Sequence, residues 1–412
     1  LTFYKYFYLS LNYIPNFILT IMLYITKVQY FLFILMFSIL FASTSCSKSS
    51  SSGGAGGTVT PPPPPTPVWD PNALRGAWVT TAASTALDSK DNIKQCVATC
   101  KANNINNIFM VVYNNGRTCY PSTVMQNLIG KSIRESFAGR DPLQEMIDEA
   151  HAAGIKVHAW FEYGFASSYS ANGGDIVAAK PSWAAKDVSG NLVVKNGFDW
   201  LNPFNPEVQN YMIDLFKEVT TKYNIDGVQG DDRLPAVPST SGYDTYTTNL
   251  YFTEKGVNPP NDYKDAAWID WRAKKLNSFL KRLRTEVKAI KPAIQFTMSP
   301  SPYPFSLTEY LQDWPTWVDS SWVDAIMPQC YRYDIAAYTS VLTQQKGYYR
   351  NTSVPFYPGV LVKSGATIQS DGFMTQMIQQ NRINGFKGEC FFFYEGVKDK
   401  TPWYQSQYPF IK

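Results

Sequence analysis

Histidine is nearly absent. The 412 residues include two, His151 within a helical pattern and His158 within a strand pattern, so neither a His-ligated metal nor a Ser-His-Asp triad is expected. Cysteine offers no alternative. Cys96 and Cys100 stand one helical turn apart, but Cys119, Cys330 and Cys390 are scattered, without a zinc spacing or a disulfide framework. No metal and no cofactor is called for. A surplus of one charge is also missing, since 37 Lys and Arg against 33 Asp and Glu leave +4, which is no footprint for nucleic acid. What the chain does have is apolar bulk. Hydrophobic residues make up 45% of it, enough for a large core, and its 27 Tyr, 25 Phe and 11 Trp mostly fill that core. Any remainder is available to stack on sugars or bases.

The amino-terminal segment reads as an address rather than as part of the fold. Lys27 precedes an apolar run over residues 30–42, followed by the small residues Ser43, Thr44 and Ser45 and then Cys46. This resembles a bacterial lipoprotein signal, with Ser43 where Leu is usual, and implies lipidation of Cys46 as the first residue of the mature protein. Residues 1–45 are therefore expected to be a signal peptide. Residues 1–21 read as upstream sequence from a misassigned start, because the chain opens on Leu1 and Met22 gives a signal of ordinary length. A transmembrane anchor is the alternative, although residues 30–41 are short for a bilayer span. Residues 46–72, rich in Ser and Gly and then in Pro, make a tether, and residues 73–412 are expected to fold as one domain.

From residue 73 onward, strand and helix patterns alternate. Eight apolar runs read as strands: residues 74–81, 106–113, 155–162, 225–233, 293–299, 323–330, 354–362 and 388–395. Each is nearly continuously apolar, as strands buried on both faces are. Helices between them carry apolar stripes and start signals. Asp141 caps one, with Pro142 at its first position and Gln144 placed to complete a capping box. Eight such units predict an α/β fold, a closed (β/α)8 TIM barrel. Two loops, residues 163–203 and 233–263, are far longer than usual βα connections and are expected to build substrate walls at the barrel mouth.

The fourth run, I-D-G-V-Q-G-D-D-R, ends in Asp231 and Asp232. Acids at the carboxyl end of a β/α strand lie where such folds build active sites, although a strand-end Asp also serves as a cap for the next loop or helix. Either one is a catalytic candidate. On an extended strand the two side chains would point to opposite sides, leaving one to face the barrel centre. Glu162 and Glu395, at the ends of the third and eighth runs, are candidate partners. Asn114, Trp160, Tyr163, Ser299, Gln329 and Tyr331 are expected to line the site as substrate-binding groups.

The segments L-R-G-A-W-V-T-T, D-P-L-Q-E-M-I-D-E-A-H, Y-N-I-D-G-V-Q-G-D-D, W-V-D-A-I-M-P-Q-C-Y and G-E-C-F-F-F-Y, in this order, resemble the glycosyl-hydrolase-like 10 family over about residues 74–397. The resemblance implies a (β/α)8 barrel, glycoside hydrolysis, a bacterial envelope location and, for some members, action on peptidoglycan glycan strands. Two departures stand out. Many members carry H-F-D-D-Y where this chain has Gln229, Gly230, Asp231, Asp232 and Arg233, and many carry Asn where it has Glu162.

Three functions compete. The first is an envelope lipoprotein, tethered to a membrane, that hydrolyses a polysaccharide with paired carboxylates, one protonating the leaving oxygen and the other acting as nucleophile or base. The second is a family 18 chitinase-like enzyme, whose D-G-x-D-x-D-x-E frame has Arg233 here at the acid position. The third is a glycan-binding surface lipoprotein without turnover, because a fold does not fix an activity.

Overall fold

In a computed structural model, residue 70 and residues 72–408 are described. Cys46, the signal-like segment and most of the tether lie outside them. All the described residues belong to the compact unit Pro64–Lys412, and none of their helices is long and apolar enough to cross a membrane.

All eight expected strands form, shorter than the apolar runs that announce them. They are β1 (Arg75–Val79), β2 (Asn107–Val111), β3 (Lys156–Phe161), β4 (Gly227–Gly230), β5 (Gln295–Met298), β6 (Ala325–Ile326), β7 (Gly359–Leu361) and β8 (Glu389–Phe392). They pair in parallel in the order β6-β5-β4-β3-β2-β1-β8-β7, giving a curled eight-stranded sheet. Just before β7, Phe356 forms an isolated parallel bridge to Ile326 of β6. There Ile326 N donates to Pro355 O (2.9 Å) and Tyr357 N to Ile326 O (3.0 Å). Side chains on both faces of β2 and β4 are buried, which explains why these runs alternate so little.

The helices that follow the strands include α1 (Lys90–Ala102), α2 (Pro142–Ala152), α3 (Pro206–Lys222), α4 (Ala266–Ile290), α5 (Trp314–Asp319), α6 (Ile335–Tyr348), α7 (Asp371–Ile383) and, after β8, α8 (Tyr394–Asp399). α3 shows how sequence sets such a helix. Asn205 accepts from Glu207 N (2.9 Å), Pro206 takes the first helical position, and Val208, Met212, Leu215, Phe216 and Val219 are buried as one stripe. That stripe faces the sheet, and the helix packs beside α4, whose Leu276, Leu280, Leu283 and Val287 are buried in the same way. Each such side chain contributes about 1.5–3 kcal/mol by leaving water, and truncating one to Ala costs about 2–5 kcal/mol.

The α2 cap is half of the expected box. Asp141 accepts from Gln144 N (3.1 Å), but the Gln144 amide donates to Asp148 Oδ1 (2.7 Å), one turn along the helix, instead of reaching back. The long loops hold structure of their own. The loop after β3 contains a three-stranded antiparallel sheet of Ala166–Tyr169, Val194–Lys195 and Phe198–Trp200, and the loop after β4 contains the helix Thr245–Lys255. Arg272 pins the latter loop: its buried guanidinium donates to Ser239 O, Ser241 O and Tyr263 O. Both histidines are structural. His151 pairs with Asp226 (2.9 Å) just before β4, and His158 stacks on Phe109 at 4.4 Å. Burial lowers the His158 pKa to about 4 and keeps it neutral.

Candidate active site

Glu162, Asp231 and Ser299 are each the first residue beyond β3, β4 and β5. Phe161 is level with Gly230 and Gly230 with Met298, so the three residues follow one another across neighbouring strands at the carboxyl ends. Adjacent strands lie about 4.8 Å apart, which makes Glu162 and Asp231 backbone neighbours.

The Glu162 carboxylate is 7% exposed. Its Oε2 accepts from Asn114 Nδ2 (2.5 Å) and from the hydroxyl of Thr80 (3.0 Å), while Oε1 accepts none of the described hydrogen bonds. Asn114 is itself oriented by Arg134 NH2, which donates to Asn114 Oδ1 (3.0 Å). Asp231, 2% exposed, takes Gln329 Nε2 (2.5 Å) and the Ser299 hydroxyl (3.1 Å) on Oδ1 and Arg233 NH2 (3.1 Å) on Oδ2.

Asp231 and Asp232 are not on an extended strand, as the sequence had suggested. The strand stops at Gly230, and a turn closed by Leu234 N donating to Asp231 O (3.0 Å) brings Arg233 back over both acids. Arg233 NH1 lies 2.9 Å from Asp232 Oδ1, and Nε donates to Glu162 O (2.9 Å). The guanidinium also stacks over Phe198 at 4.7 Å and Tyr163 at 5.5 Å. Gly164 makes this close approach possible: a Cβ there would come within 2.7 Å of Leu234 Cβ and closer still to the Arg233 backbone.

One guanidinium thus pairs with two carboxylates, Asp231 and Asp232, and meets Glu162 through its backbone carbonyl. Burial raises the Glu162 pKa, and the Arg233 charge opposes it. Burial, followed by the neighbouring Asp232 charge, pushes Asp231 well above the usual carboxylate range, again against Arg233. Arg233 shifts upward because the charges of Asp232, Asp231 and Glu162 outweigh its own desolvation. Burial thus leads Glu162 and Asp231 to hold their protons above the usual carboxylate range.

The floor is aromatic. Trp78 Nε1 donates to Gln229 Oε1 (2.7 Å) inside the sheet. Trp160, 2% exposed, packs on Trp78 at 6.3 Å, and half-buried Tyr331 meets Trp78 edge-on at 6.5 Å. Burial and then the Asp231 charge push the Tyr331 phenol well up. Glu395 stands apart. β8 ends at Phe392, the chain turns into α8, and the Glu395 carboxylate is taken by the Ser84 hydroxyl (2.8 Å) and Lys398 (2.5 Å). None of its described hydrogen bonds or ion pairs reaches Glu162, Asp231 or Asp232.

Thr80, Arg134 and the clamp made by Arg233 were not anticipated. Thr80 could have been found, since it follows β1 directly as Glu162 follows β3. Arg134 lies in an irregular stretch with no periodicity to place it.

Comparison with known proteins agrees with this architecture. The sequence profile of the family described as glycosyl hydrolase-like 10 matches residues 73–370, so Glu395 falls beyond it. The glycosyl hydrolase DigH of Escherichia coli (strain K12) is 29% identical over 275 residues, covering 57% of this chain and 58% of the relative. The glycosyl hydrolase YngK of Bacillus subtilis (strain 168) is 23% identical over 323 residues, covering 71% of this chain and 59% of the relative. The chain therefore spans less than two thirds of these curated relatives. Among solved structures, the PgaB (BpsB) glycoside hydrolase domain from Bordetella bronchiseptica superposes with a TM-score of 0.61 at 12% identity, covering 81% of this chain and 97% of that one. The catalytic domain of a Paenibacillus polymyxa beta-amylase gives 0.59 at 10% identity, covering 82% and 99%. These two show a shared fold. The match over residues 73–370 spans well over half of the sequence, and the chain belongs to the glycosyl hydrolase-like 10 family.

Proposed function

We propose that this protein is a glycoside hydrolase that cleaves a polysaccharide, such as peptidoglycan glycan strands, at the mouth of a closed (β/α)8 barrel. The observation that carries this reading is the pair Glu162 and Asp231, two buried carboxylates on neighbouring strand ends around Arg233. Acetal hydrolysis needs one protonated acid at the leaving oxygen and one carboxylate opposite. Glu162 suits the acid role. Burial holds its proton, its Oε2 is fixed by Thr80 and Asn114, and Oε1 is left to carry and deliver the proton. Asp231, held by three donors including the Arg233 guanidinium that opposes the effect of burial on it, takes the nucleophile or base role in this assignment. Asp232 holds Arg233 in place.

Hydrolysis of peptide-free bacterial glycan strands by folded Glu162→Gln, Asp231→Asn and Asp232→Asn variants tests this. Turnover near wild type in both Asp variants would refute the assignment. Loss in one Asp variant with full activity in Glu162→Gln would move the acid role elsewhere, with Glu395 the next candidate.

The clamp of Arg233 on both Asp231 and Asp232 favours a second reading, a glycan-binding protein without turnover. Retained binding with no cleavage of any glycan would support it. For location, the reading is an envelope lipoprotein tethered through Cys46, supported by Lys27, the apolar run and the Ser, Gly and Pro tether. A Cys46→Ala variant that stays as membrane-bound as wild type would end it.

A further inference from the structure

Tyr169 closes the strand Ala166–Tyr169 in the small sheet after β3, and it is 54% exposed. It is nevertheless held. A Cβ on Gly197 would lie 2.6 Å from Tyr169 Cε2 and 2.7 Å from Cζ, so the phenol end of the ring rests against a residue that has to be glycine. The φ of +82° at Gly197 makes the same demand. Phe198 meets the ring edge-on at 5.3 Å, and Tyr169 N donates to Asn115 Oδ1 (3.0 Å). The ring is thus pre-oriented with about half of its surface in water, an arrangement that core filling does not explain.

The same line of rings runs inward to the acids. Phe198 meets Tyr163 at 5.2 Å, both lie beneath Arg233, and Arg233 holds Asp231 and Asp232. Exposure falls along that line, from Tyr169 through half-buried Phe198 and Tyr163 to the nearly closed Arg233 side chain. A single exposed ring on a polar rim is too small for a protein interface. It suits a pyranose, whose C–H face packs on an aromatic face while its hydroxyls find polar neighbours. Exposed Ser170 and Asn172 follow it in the chain, whereas Lys195 and Asn196 are turned to Glu309 and Tyr310.

We propose that Tyr169 is a sugar-stacking subsite, remote from the acids, for an extended glycan strand laid along Phe198 and Tyr163. This rests on the hydrolase reading above and deepens it. The substrate is a long polymer, gripped away from the point of cleavage, and long strands are used in preference to short ones.

The test uses the full chain and peptide-free peptidoglycan glycan strands sorted by length. For Tyr169→Ala, kcat/KM on long strands should fall roughly tenfold, mainly through KM, as expected for one lost stacking contact. The loss should be confined to long strands, and Tyr169→Trp should restore them. Equal loss on the shortest cleaved fraction, or no loss on long strands, overturns the subsite. If wild type cleaves nothing, the hydrolase reading fails by itself. Affinity electrophoresis in the same strands then decides the subsite. Retardation of wild type that is lost in Tyr169→Ala upholds it, whereas equal retardation, or none in wild type, overturns it.

Discussion

Two buried arginine–carboxylate clusters sit at opposite ends of the sheet, and they are built on different rules. At the amino ends, Glu389 opens β8 fully buried and takes Arg382 NH1 (2.7 Å) and NH2 (2.8 Å), the Tyr408 hydroxyl (2.7 Å) and Asn381 Nδ2 (3.2 Å). One acid meets one base, and both carboxylate oxygens are saturated. At the carboxyl ends, Arg233 pairs with both Asp231 and Asp232 and donates to the Glu162 backbone carbonyl, while the charge of the buried Glu162 carboxylate also acts on it. Glu162 Oε1 accepts no described hydrogen bond. A buried ion pair is tolerable when its charges match and its geometry is complete, and the lower cluster meets both conditions. The upper cluster leaves negative charge in excess in a desolvated space, which costs stability and retains protons. The proposed hydrolase reading draws on such an imbalance, because acid–base chemistry uses groups with perturbed pKa values.

The largest effect that could break this comparison is expected at the lower cluster. Glu389→Gln leaves the Arg382 guanidinium buried without a counter-charge, and unfolding in urea should show a loss of about 3–5 kcal/mol. A loss below about 1 kcal/mol would mean that the lower cluster is no tighter than a surface pair. Asp231→Asn should do the opposite. On the proposed hydrolase reading, turnover should fall by about 10² or more, while urea stability stays level or rises as like-charge repulsion is relieved. Destabilisation matching that of Glu389→Gln would show that the upper cluster is structural too.

The legible and illegible parts of the molecule follow the same division. Strands buried on both faces announce themselves as apolar runs, and α4 starts where Asp265 caps it, accepting from Trp268 N (2.9 Å). Strand-end reasoning also reached Glu162, Asp231, Ser299, Asn114 and Gln329, which one hydrogen-bonded group now joins. It misplaced Glu395 in the fold because the chain enters α8 right after β8, so a residue that looks like a strand end sits on a helix paired with Lys398. The Arg233 clamp depends on a turn between Asp231 and Leu234, and the Arg134 contact to Asn114 crosses 20 residues of irregular chain. Neither leaves a periodicity to read. The Arg382 and Glu389 pair, though only seven residues apart, leaves no periodicity either, since it needs α7 packed against the start of β8.

The smallest effect, and the one that sharpens the comparison most, lies in the pH dependence of stability. Burial raises the pKa of Glu162 and of Asp231 above the unfolded values of about 4. An acid whose folded pKa is raised binds its proton more tightly in the folded state. Its contribution is fully present below the unfolded pKa and is lost as pH rises through the folded one. The upper cluster should therefore cost the protein stability progressively from about pH 4 toward neutrality. The double variant Glu162→Gln/Asp231→Asn keeps the shapes and removes both titrations. Urea unfolding across this range should show wild type and variant nearest each other at pH 4, with the variant gaining about 1 kcal/mol or more by neutrality. A difference that does not change with pH would mean that the excess of carboxylates around Arg233 holds no proton. The contrast between a balanced lower cluster and a proton-retaining upper one would then fall.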